Sequence, residues 1–210
     1  MAALDTEKFI SMTFDPDIHH RRSLRLKNYD YSRPGAYFVT VCTHNRESLF
    51  GHIHENAMIL NEAGSMIDRW WRELPNKYPM IDTDVYTVMP NHFHGIVAIV
   101  GAALCGRPDG SDSNNGGQPH RVAPTLGGMI DWFKTMTTND YIRGVKQCQW
   151  RPFPGKLWQR NYYEHVIRDE GDLNAIREYI VNNPASWDKD NENPEREDHA
   201  SADMIQHEHE

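Results

Sequence analysis

The sequence is poor in cysteine, with three residues, Cys42, Cys105 and Cys148, in a chain of 210. They are odd in number, widely spaced and form no C-x-x-C, which excludes a disulfide framework and a cysteine-built zinc finger. No run approaches the ~18 to 20 apolar residues of a membrane-spanning helix. Residues 1–17 carry early acids and lack the apolar stretch of a secretion signal. The expectation is a cytoplasmic protein with no membrane partner. There is no internal repeat. There is also no positive excess: the formal net charge is -8, which at face value argues against a polyanionic partner.

The charge is unevenly placed. Residues 1–18 hold -3, residues 186–210 hold -7, and the stretch between them holds +2. The acidity therefore sits in the ends, and the objection to a polyanionic partner falls away for the body. Within the body, Arg21, Arg22, Arg25 and Lys27 lie in a basic run suited to phosphate contacts.

The organisation reads as a flexible arm over 1–21, a single domain over 22–187 and an acidic, disordered tail over 188–210. Inside the domain, β-branched and aromatic residues mark a strand over 36–43. A short hairpin follows within 48–60. Met66, Ile67, Trp70, Trp71 and Leu74 are spaced for a helix that opens at Asn61 and is stopped by Pro75. Two strands, 85–89 and 92–100, flank Pro90-Asn91 as an antiparallel hairpin. A Gly-, Ser- and Asn-rich loop spans 101–124. A second helix covers 126–145, a strand 158–167 and a third helix 169–183, ended by Pro184. This order predicts an α+β domain with the ferredoxin-like split βαβ arrangement.

The sharpest local feature is Met89-Pro90-Asn91-His92-Phe93-His94-Gly95-Ile96-Val97. Strand alternation points His92 and His94 to one face and Phe93 to the other. Two imidazoles so placed can share a divalent cation. His52 and His54 repeat the spacing beside Glu55, but in a polar hairpin where a solvated pair is expected. On the third helix, a step of ~100° per residue puts Tyr179 and Asn183 on the face of Leu173, Ile176 and Ile180. Asn182 falls on the opposite, exposed side.

Together these segments resemble the single-tyrosine HUH transposases. The His92-Phe93-His94 stretch is similar to their histidine–hydrophobic–histidine motif, and Glu178-Tyr179-Ile180-Val181-Asn182-Asn183-Pro184 to their nucleophile helix. Further likeness runs through Arg25-Leu26-Lys27-Asn28-Tyr29-Asp30-Tyr31, Trp70-Trp71-Arg72-Glu73-Leu74-Pro75 and Trp158-Gln159-Arg160-Asn161-Tyr162-Tyr163-Glu164-His165. The insertion-sequence branch carries Gln where Asn183 stands, so the chain is identified with the REP-associated tyrosine transposases.

The resemblance implies that His92, His94 and Asn183 hold Mg²⁺ or Mn²⁺. It implies that Tyr179 attacks a phosphate of single-stranded DNA bearing hairpin repeats, forming a 5′-phosphotyrosine, in a monomer or homodimer. Tyr162 and Tyr163 are the rival nucleophiles. Arg21, Arg22, Arg25, Lys27, Arg121, Lys134 and Arg160 are candidate DNA contacts. A non-cleaving module that binds structured single strands on the same fold is the alternative.

Overall fold

A computed structural model describes residues 33–100 and 125–196 of the chain. In chain order it contains β1 (Gly35–Cys42), β2 (Gly51–His54), β3 (Ala57–Leu60), α1 (Glu62–Arg72), β4 (Ile81–Val88) and β5 (His92–Ile99). After residue 124 come α2 (Leu126–Cys148), β6 (Tyr163–Ile167) and α3 (Glu170–Asn182). The arm over 1–21, the basic residues Arg21, Arg22, Arg25 and Lys27, and the loop over 101–124 with Arg121 lie outside the described residues.

Four strands form one antiparallel sheet in the order β4-β5-β1-β6, and β2 pairs only with β3. The connection from β1 to β4 runs through α1, and that from β5 to β6 through α2. Each pair of strands so joined is separated by another strand, the split βαβ arrangement. The fold is α+β and ferredoxin-like.

Pleat alternation divides the sheet into two unequal faces. Tyr37, Val39, Val41, Phe93 and Val97 face α1 and α2, where they meet Met66, Ile67, Trp71, Met129, Ile130 and Phe133 in the main core. Phe38 and Ile96 face the other way and bury Ile176 and Ile180 of α3 in a smaller cluster. Gly95 belongs to the first face. A Cβ there would come within 2.7 Å of the Trp71 ring, so the glycine after the second histidine makes room for this indole.

Side-chain caps start the helices: Asn61 accepts from Gly64 N at 2.8 Å, Thr125 from Gly128 N at 3.1 Å, and Asp169 from Asp172 N at 2.9 Å. Pro75 does not stop α1. The helix ends at its C-cap, Glu73, and the proline sits at the start of a separate turn, Leu74–Lys77, where its missing N–H is no loss. The second helix runs three residues further than expected, to Cys148.

The expected strand over 158–167 is shorter. Trp158 makes one isolated bridge to Thr43, and pairing resumes only at Tyr163. Between them Gln159 N still donates to the Cys42 carbonyl at 2.9 Å, and the carbonyls of Gln159, Arg160 and Asn161 accept from Lys134 Nζ at 2.8 to 3.2 Å. No described helix is long and apolar enough to cross a membrane.

Candidate active site

The smaller sheet face carries the polar centre. Thr40 of β1 lies opposite His94 in the register, and Cys42 opposite His92. Both histidines are buried, at 0% and 3% exposure. Their Nε2 atoms face one another at 2.9 Å. The Nδ1 atoms point outward from the pair: His92 to Asn91 Oδ1 and His94 to Thr40 Oγ1, each at 2.8 Å. Phe38 stacks on the His94 ring with centroids 5.4 Å apart.

Helix α3 delivers the other groups. Its apolar stripe seats Ile176 and Ile180 on Phe38 and Ile96. Tyr179 is 41% exposed as a residue, yet its hydroxyl lies 3.4 Å from His94 Nε2. Its ring meets Phe38 edge-on at 6.0 Å. Asn183, the C-cap one turn later, is buried. The helix is tied to the sheet at two further points. Arg177 Nε donates to Asp84 of β4 at 3.0 Å, and His165 of β6 contacts Asp172 at 2.9 Å.

The chain beyond α3 continues onto the site. Residues 188–196 are described and pack on the site. Pro184–Lys189 forms a 3₁₀ turn that places Trp187 6.0 Å from the His92 ring. Asp190 Oδ2 then lies 3.8 Å from His92 Nε2, and its side chain is only 8% exposed. Glu192 pairs with Arg46 at 3.0 Å, and Asn193 is buried against the Trp187 carbonyl. Composition suggested a solvated tail, but these three side chains anchor its first part.

Burial sets the protonation of the centre. It draws His92 below its ordinary range, with Asp190 and Glu192 opposing, and draws His94 well below, reinforced by the charge of His92. Both imidazoles are therefore neutral near pH 7, the form that ligates metal. Burial raises the Tyr179 phenol, and Asp190 and Glu192 raise it further; a contact with Asn183 works the other way.

The residues present suit a divalent cation. His92, His94 and Asp190 offer three ligand atoms within 4.8 Å of one another. Asn183 Oδ1 and Asp190 Oδ2 are buried without a hydrogen-bond partner, a state that costs ~1 to 3 kcal/mol or more per group unless something binds there. Two nitrogens and two oxygens form a donor set compatible with Mn²⁺ or Mg²⁺. Asp190 is the residue that sequence reasoning missed. It is one of nine acids after residue 185, and nothing in that composition distinguishes it.

The other candidates separate. Tyr163 shares the Thr40 row of the sheet and packs on Phe38 at 6.4 Å. Tyr162 precedes the strand and lies under Lys134 Nζ at 5.9 Å. Lys134 is half-buried. It is engaged by three carbonyls, and burial pulls its ammonium down to about 8. Arg160 is exposed. His52 and His54 are exposed on β2, as their polar hairpin suggested.

Known proteins place this geometry in context. No family model matches the chain. An uncharacterized protein of Haemophilus influenzae is 38% identical over 179 residues, spanning 84% of this chain and 95% of its own length. The chain belongs to the same family as that protein. It is also similar to a candidate REP-associated tyrosine transposase of the same organism, 24% identical over 164 residues and 76% of each chain. Among solved structures, a REP-associated tyrosine transposase bound to a REP hairpin superposes with a TM-score of 0.48 at 20% identity, covering 78% of this chain and 74% of that one. A candidate transposase of Deinococcus radiodurans gives 0.40 at 16% identity, covering 75% and 95%. The likeness to REP-associated tyrosine transposases inferred from the motifs thus recurs in a sequence match over 76% of the chain.

Proposed function

We propose that the chain is a metal-dependent single-stranded DNA endonuclease and strand transferase of the transposase type. Its substrate is DNA with hairpin-forming, REP-like repeats, and it acts through a 5′-phosphotyrosine on Tyr179. One observation carries this reading: a tyrosine hydroxyl 3.4 Å from a buried pair of facing imidazoles. Sequence similarity to a candidate REP-associated tyrosine transposase supports it.

His92, His94 and Asn183, with Asp190 added, would hold Mg²⁺ or Mn²⁺, which when bound polarises the scissile phosphate as a Lewis acid. Tyr179 supplies the nucleophile. Its phenolic oxygen bonds to phosphorus, the P–O3′ bond breaks, and the 3′-oxygen leaves as a free hydroxyl. The 5′ side of the break stays on the enzyme. The phosphodiester's energy is kept in the new ester, so a later 3′-hydroxyl can displace Tyr179 and rejoin strands without a nucleotide cofactor. The aromatic rings of Phe38 and Trp187 wall the centre and shield it from water. Exposed Arg160, with the basic residues Arg21, Arg22, Arg25, Lys27 and Arg121, is assigned to the DNA backbone.

The test is incubation of a labelled hairpin oligonucleotide with the protein and Mn²⁺, followed by denaturing electrophoresis. A slow-migrating protein–DNA species is expected from the wild type and none from Tyr179→Phe. Hairpin binding that is insensitive to EDTA, with no adduct under either metal, would instead make the chain a non-cleaving binding module.

A further inference from the structure

The outer nitrogens of the two histidines are wired to groups that the proposed reaction does not use. Asn91 is fully buried directly before His92. Its Nδ2 donates to the carbonyls of Arg46, at 3.1 Å, and Glu192, at 2.6 Å. Carbonyl oxygens only accept, so the amide has one possible orientation, with Oδ1 toward His92 Nδ1. That oxygen also only accepts. The ring proton of a neutral His92 therefore sits on Nδ1, and Nε2 is a bare lone pair facing His94.

His94 is wired differently. Two bare nitrogens at 2.9 Å with no cation between them would repel, so when no cation is bound His94 Nε2 would carry the proton and donate to His92 Nε2. His94 Nδ1 then accepts from the Thr40 hydroxyl at 2.8 Å. A hydroxyl, unlike an amide oxygen, can turn and accept instead.

We infer that Asn91 and Thr40 are positioning residues that set the histidine tautomers. Asn91 locks His92 in its Nδ1–H form, with or without a cation. Thr40 permits His94 to pass from Nε2–H to Nδ1–H as a cation is taken up, so that both Nε2 lone pairs become available. One proton leaves Nε2 and one arrives at Nδ1, so uptake releases no proton from the pair. Asn91 also ties His92 to the Glu192 backbone, and so fixes the segment that carries Asp190. The Asn91 assignment stands on its own hydrogen bonds alone, whereas the His94 shift rests on the proposed cation site.

The experiment uses the full-length chain labelled with ¹⁵N-histidine and two-bond ¹H–¹⁵N correlation spectra. Without metal, His92 is expected as Nδ1–H and His94 as Nε2–H; with saturating Mg²⁺, His94 moves to Nδ1–H and His92 is unchanged. An Nε2–H signal for His92 without metal overturns the Asn91 assignment, and needs no variant. Mn²⁺ affinity, read by electron paramagnetic resonance, is expected to fall ~10- to 100-fold in Thr40→Val and to recover in Thr40→Ser. Wild-type affinity in Thr40→Val overturns the Thr40 assignment. A wild type that binds no Mn²⁺ would overturn the cation reading and the His94 shift together, while the metal-free spectrum still decides Asn91.

Discussion

His92, His94, Tyr179 and Asn183 were placed on shared faces by two periodicities of the sequence, the two-residue pleat of β5 and the 3.6-residue turn of α3, and singled out by the resemblance to the HUH transposases. Asp190 was not, because it follows the last regular helix and no period governs its direction. Its placement makes a prediction. Asp190→Ala should weaken Mn²⁺ binding at least about ten-fold, or ~1.4 kcal/mol, measured by titration calorimetry. In the metal-free protein it should cost no more than about 1 kcal/mol, since relief of the buried, partnerless Oδ2 offsets the loss of the hydrogen bond that Oδ1 accepts from Glu192 N at 2.7 Å. The histidines make a second prediction. Burial holds both pKa values down in the folded chain, whereas the unfolded chain takes up protons near pH ~6.5. As pH falls below that value the unfolded state binds more protons, and stability is lost until the folded pKa values are reached. Thermal melts of metal-free protein between pH 7.5 and pH 5 should therefore show a falling midpoint, and His94→Gln should flatten the fall.

Among the elements, α3 decides whether the centre assembles. Among the described residues it is seated by four buried apolar side chains, Phe38, Ile96, Ile176 and Ile180, with partly buried Leu173 and Val85 beside them, and tied by Arg177–Asp84 and His165–Asp172. Ile176→Ala should cost ~2 to 5 kcal/mol in chemical denaturation and reduce adduct yield, because the residue lies one turn before Tyr179. Asp84→Ala should change stability little, since the pair is largely solvated. It should still slow adduct formation by freeing the guanidinium two residues before the nucleophile. Strand and helix identities were legible from apolar periodicity, but the end of α1 and the start of β6 were not. Pro75 is tolerated because a new turn begins there. Residues 160 and 161 leave the sheet where Lys134, distant in sequence, collects the carbonyls of residues 159–161. Gly95 had a reason that no local pattern shows: Trp71 occupies the space of its missing Cβ. Gly95→Ala should destabilise by ~1 to 3 kcal/mol through overpacking, with denaturation midpoints as the check.

At the scale of the whole molecule, the net charge of -8 conceals a body near neutrality with acidic ends. The composition located the acidic C-terminal segment but not its division. Its first part, through Arg196, packs on the site, while residues 197–210 lie outside the described structure and hold -5. Removing 197–210 should leave Mn²⁺ affinity unchanged, whereas removing 188–210 takes away Asp190 and Glu192 and should lower it. The central claim is that one tyrosine of this centre becomes covalently bonded to DNA. It is tested most directly by digesting the Mn²⁺-dependent protein–DNA species with nuclease and trypsin and mapping the modified peptide by mass spectrometry. A nucleotide 5′-linked to Tyr179, in the peptide spanning residues 178–189, is the predicted result. A nucleotide on Tyr162 or Tyr163, or cleaved DNA with a free 5′-phosphate and no modified peptide, would contradict it.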